Sequence, residues 1–242
     1  MSLTGTRNPE PGTRFCIPQT NLQLYRAMRN CGHSEEAIQR ANQAWLLAIE
    51  STAGMFRGSG KPFVCHLAGV AGLLCLAGQE APVVIAGILH AMYQRRVPFQ
   101  GLSLPQRKER LSALFGEECE RLVSEYNDFE IERLDEWTDD ALRDKGAVVL
   151  MRVADDLEDL LDDAIELHGS PEDSDDVSGG AAVRRTKALA LGPELKRAAR
   201  VLECDFLEQQ LDFWLDRLET QAAPSIVRTG QYSSFSVALD SE

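Results

Sequence analysis

No apolar run in this chain is both long enough and uncharged enough to span a bilayer. The opening residues, Met1 to Gly12, are polar and turn-rich and lack the apolar centre of an export signal, so a cytoplasmic protein is expected. A basic excess is also missing. Lys and Arg number 25 against 38 Asp and Glu, a formal net charge of −13, which argues against nucleic acid or an anionic membrane as the main partner. Cys16, Cys31, Cys65, Cys75, Cys119 and Cys204 contain no C-x-x-C spacing. They read as buried or incidental thiols of a reducing compartment. Period-two alternation is absent as well, and with it any convincing strand or internal repeat.

What remains is a succession of helix signals, and the expected fold class is all-α. Residues 1–19 read as a flexible N-terminus and 20–220 as one helical domain. Asn21 opens a short amphipathic run that stops near Gly32. Ser34 is an N-cap for a helix through Ala37, Ala41, Trp45, Leu46 and Ile49. Gly58 to Pro62 is a loop, after which Val70, Leu73, Leu74 and Ala77 mark one apolar face ending at Gly78. Pro82 suits the first turn of the run that closes at His90. Ser103 and Pro105 repeat the cap-then-proline start, leading to Leu111, Leu114 and Phe115, and a further helix carries Leu122 and Tyr126. The most regular helix spans residues 146–168, with a core stripe of Leu150, Val153, Leu157, Leu160, Leu161, Ala164 and Leu167. Residues 170–180 read as an acidic mobile loop, Pro193 to Thr220 as one long helix, and 221–242 as a tail able to dock through Tyr232, Phe235 and Val237.

Chemistry concentrates in three places. Arg57-Gly58-Ser59-Gly60-Lys61-Pro62-Phe63-Val64-Cys65-His66 places a histidine at a helix start. His90 closes the next helical run, and Asp155 sits inside the long helix in Arg152-Val153-Ala154-Asp155-Asp156-Leu157. This multi-part pattern resembles the alarmone-hydrolase domain of the RelA/SpoT homologues, a branch of the HD superfamily, over most of residues 20–170 in element order. The resemblance implies an HD-type helical bundle and a metal ion held by His66, His90, the position after His90, and Asp155. It also implies ligand contacts at Arg57 and Ser59 on the loop and at Asp159 and Asp162 on the aspartate helix.

The departures from that pattern are chemically specific. Ala91 stands where the dyad aspartate belongs, and Gln94 and Arg95 stand where an acidic pair handles protons. Neither replacement titrates near neutral pH, so conventional alarmone hydrolysis is not expected. His66, His90 and Asp155 still make a two-histidine, one-carboxylate set suited to one divalent Fe, Mn or Zn ion with open positions. The expected function is that of a divergent HD protein with a small-molecule pocket, its catalytic groups drawn from His66, His90, Tyr93 and Arg95. The alternative is a pseudoenzyme serving as nucleotide sensor or interaction scaffold. In a metal-free variant of either, Arg95 reaches Asp155, Asp159 or Asp162 and takes the place of the cation. Oligomeric state is open.

Overall fold

The computed structural model describes residues 16–161, 165 and 181–220. Most of the expected flexible N-terminus, the acidic loop 170–180, the tail 221–242 and Asp162 lie outside the described residues. Within them the fold is all-α, and the only β-type pairing is an isolated bridge between Phe56 and Pro62 that pinches the loop between them.

The first half follows its local signals. α1 (Asn21–Asn30) is capped by the Thr20 side chain, and α2 (Glu35–Thr52) by Ser34, whose hydroxyl accepts from the Ala37 N–H. α3 (Phe63–Leu76) follows the pinched loop, and α4 (Ala81–Leu89) starts with proline in its first turn and hands over to His90 at its C-cap. α5 (Leu104–Phe115) opens with a capping box in which Ser103 and Gln106 satisfy each other's backbone donors. α6 (Glu117–Asn127), a 3-10 turn (Ile131–Glu136), α7 (Asp139–Asp144) and α8 (Gly146–Leu160) complete the bundle.

α3 is the hub. It is buried on every side from His66 to Cys75 and packs on α1, α2, α4 and α8, as expected of a helix apolar all round. α4 lies close against it at Gly87, where a Cβ would stand 2.6 Å from Leu74 Cδ1 and 3.3 Å from Ala71 Cα, so a side chain there must displace Leu74 and press on the α3 backbone. This packing sets His66 of α3 and His90 of α4 side by side. α8 then brings its polar face to the same spot while Leu150, Val153, Leu157, Leu160 and Leu161 go into the core.

The structure corrects several expectations. Leu46 and Ile49 are exposed at 58% and 41%; the buried face of α2 runs instead through Ile38, Ala41, Ala44, Trp45 and Ala48. Leu114 is also exposed. The single helix expected from Pro193 to Thr220 is two: α9 (Ala181–Val201), which carries Pro193 inside it, and α10 (Asp205–Thr220). Glu203, at a φ of 53°, adopts the left-handed conformation that turns the chain back, and α10 packs along α9 and α8. No glycine or proline marks that turn, so helical periodicity reads straight across it. No described helix is long and apolar enough to cross a membrane.

Candidate metal centre

α3, α4 and α8 deliver His66, His90 and Asp155 to one point. His66 Nε2 lies 3.0 Å from Asp155 Oδ1, and His90 Nε2 lies 3.6 Å from the same oxygen. The imidazoles meet edge to face with centroids 5.3 Å apart. His66 is fully buried and His90 is 1% exposed. His90 Nδ1 donates to the Gly87 carbonyl at 2.8 Å, which leaves its Nε2 as the nitrogen turned toward Asp155. His66 Nε2 and Asp155 Oδ1 are each other's ion-pair partner, and both are buried with no hydrogen bond to any other described residue. Two buried ligand atoms that converge on a third fit a divalent cation. His66, His90 and Asp155 could together hold a metal ion.

A second set, His66, Glu158 and Asp159, is also close enough to share an ion. Its charge is already balanced. Lys61 pairs with Glu158, and Arg57 and Arg184 share the Asp159 carboxylate. The first set therefore fits an ion better than the second.

The surroundings set the electrostatics. Burial alone would raise the pKa of Asp155, but His66, His90 and Arg152 outweigh it and hold the carboxyl well below its usual range. Burial drives His90 down to about 4. Burial and Arg57 also press His66 downward, yet Glu158 and Asp155 prevail and leave it above the usual histidine value. Loss of solvent, with Asp155 and Asp159 alongside, pushes half-buried Asp156 up to about 6.

Several groups that hold this site carry no legible motif in the sequence. Tyr126 of α6 donates its hydroxyl to Asp155 Oδ2, sets its ring edge-on to His90 with centroids 5.1 Å apart, and accepts from Arg152 Nη1 at 2.9 Å. Glu158, one turn beyond Asp155 on α8, meets His66 Nδ1 at 2.6 Å and is 1% exposed. Arg57 donates to Asp159, and those carboxylates together with Asp155 raise its pKa against the opposing effect of burial. Part-buried Asp155 and Asp159 thus face partners in the interior, not bulk solvent.

Two expected members are elsewhere. Tyr93 is buried but donates to Glu120 Oε1 at 2.9 Å, beneath Lys108. Arg95 is exposed and forms no ion pair with Asp155 or Asp159, so it does not stand in for a cation. The physical reason is the end of α4: past His90 the chain leaves the helix in tight turns, and these positions no longer follow its face. Ser59 lies on the loop with no hydrogen bond to the centre; the loop is closed instead by Gly60 N–H to Arg57 O and Arg57 N–H to Lys61 O, both 2.8 Å. A cleft of about 360 Å³ lies between Phe129, Trp137, Lys145 and Val148, and neither histidine of the centre lines it.

In comparison with known families, residues 47–130 match the sequence profile described as "Domain of unknown function (DUF6817)". That stretch holds Arg57, His66, His90 and Tyr126 and stops short of α8.

Proposed function

We propose that this chain is a divergent HD-superfamily protein in which His66, His90 and Asp155 hold one divalent Fe, Mn or Zn ion and act on a small molecule. The observation that carries this reading is the buried pair His66 Nε2 and Asp155 Oδ1, 3.0 Å apart and hydrogen-bonded to no other described group, with His90 Nε2 beside the same oxygen. A bound ion of this ligand class supplies Lewis-acid activation of hydrolytic or oxygen-dependent chemistry.

The protein's part is positional. Tyr126 and Arg152 hold Asp155 Oδ2, so Oδ1 is the oxygen presented to the histidines. Arg57 and Lys61, each about a fifth exposed or less, are held in ion pairs with Asp159 and Glu158 and fasten the loop beside the centre. Ala91, fully buried, contributes no fourth ligand. With Gln94 and Arg95 in place of acids, conventional alarmone hydrolysis remains outside the proposal.

A second reading, a metal-free sensor or scaffold, draws on the cations already present. Arg57, Lys61, Arg152 and Arg184 pair with every acidic residue from Asp155 to Asp159 on this face of α8, and the histidines are closed off from solvent. Elemental analysis decides between the two, on protein purified without chelator or affinity metal and beside a His66→Ala, His90→Ala double variant. Near-stoichiometric metal that disappears in the folded variant supports the metalloenzyme. Metal-free wild-type protein that also takes up none on incubation supports the scaffold.

A further inference from the structure

Glu158 is a carboxylate sealed inside the protein at 1% exposure, a placement that costs several kcal/mol unless its charge is used. Its two oxygens do different things. Oε1 takes the Lys61 ammonium from the loop before α3, and Oε2 meets His66 Nδ1 at 2.6 Å. The backbone makes room for this. Gly69, one turn past His66 on α3, lies so close that a Cβ there would stand 2.5 Å from Glu158 Oε1 and 2.6 Å from its Cγ. A side chain at position 69 must displace the carboxylate from the histidine.

A histidine has two nitrogens, and the acceptor on one decides what the other offers. Resting on the metal reading above, we propose that Glu158 is a positioning residue: it fixes the proton of His66 on Nδ1 and so presents the Nε2 lone pair to the point shared by His90 and Asp155. Lys61 keeps the Glu158 carboxylate from standing as an uncompensated charge, and Gly69 gives it clearance. A merely structural Glu158–Lys61 bridge between loop and helix predicts none of the ring chemistry that follows.

The test has a metal-free and a metal-bound arm. In metal-free wild-type protein at alkaline pH, where the ring is neutral, long-range 1H–15N spectra should show His66 protonated at Nδ1. Cobalt(II) titration, followed by its visible absorption, should show Glu158→Ala binding about 10–100-fold more weakly than wild type. Glu158→Gln, whose amide oxygen still accepts from Nδ1–H, should recover most of that loss. Gly69→Ala should weaken cobalt binding with Glu158 intact, which keeps the test open even where Glu158→Ala fails to fold. A proton on Nε2 of His66, or folded Glu158→Ala and Gly69→Ala proteins that bind cobalt as tightly as wild type, overturns the positioning role alone. Wild-type protein that takes up no cobalt overturns the metal reading, and with it any role for Glu158 toward a metal.

Discussion

Arg57 and Asp159, 102 residues apart in the chain, form a part-buried ion pair that fastens the loop before α3 to the last turn of α8. Arg184 of α9 approaches the other oxygen of the same carboxylate at 3.2 Å, so one aspartate joins three segments over the histidine pair. Arg57→Ala leaves Asp159 one of its two cations. The expected cost is about 1–3 kcal/mol, the range for stranding a group that keeps part of its satisfaction. Urea unfolding should show a lower midpoint at unchanged slope; an unchanged midpoint contradicts a latch role for the pair.

Tyr126→Phe separates the two uses of that tyrosine. The ring against His90 stays, while the hydroxyl that donates to Asp155 and accepts from Arg152 is lost. Stability should fall by about 1–2 kcal/mol, as for a buried hydrogen bond removed with its partners left in place. Cobalt or zinc affinity should fall too, because Asp155 Oδ2 is no longer held. A variant with wild-type stability and metal affinity contradicts the placement of this hydroxyl.

How much of this was legible beforehand depends on what each residue's role depends on. His66, His90 and Asp155 sit at a helix start, a helix end and a helix interior, which cap and proline signals place, but that the three share one site follows in the sequence only from the family resemblance. Tyr126, Glu158 and Arg152 join the site by reaching across between helices, which no local pattern encodes. Arg95 and Tyr93 follow the end of α4, where periodicity stops being a guide to direction. The turn at Glu203 is hidden for the converse reason: the apolar period continues through it while the backbone does not.

Ala91 offers a conditional test. It is fully buried next to His90, so Ala91→Asp adds a carboxylate with no cation of its own. In chelator the variant should be less stable than wild type by several kcal/mol. With manganese or zinc the same carboxylate becomes a ligand, and its melting temperature should rise by more than that of wild type. Equal metal-induced shifts in the two proteins contradict a centre at this point.

Cys31, at the end of α1, has its thiol pKa lowered to about 7 by its interaction with the Cys75 thiol, which outweighs the opposing loss of solvent. A lowered pKa favours the thiolate, the form that reacts. Iodoacetamide at pH 7 followed by peptide mass spectrometry should find Cys31 modified early, with a rate that climbs through pH 7 and then levels. Cys75→Ala should move that rise to higher pH; an unmoved profile contradicts the thiol contact.

The most direct test of the central claim is anomalous diffraction from crystals grown with zinc or manganese, with data on both sides of the metal absorption edge. One strong anomalous peak is expected within bonding distance of His66 Nε2, His90 Nε2 and Asp155 Oδ1, with Glu158 still on His66 Nδ1. A peak elsewhere, or well-ordered protein in saturating metal with none at this point, contradicts it.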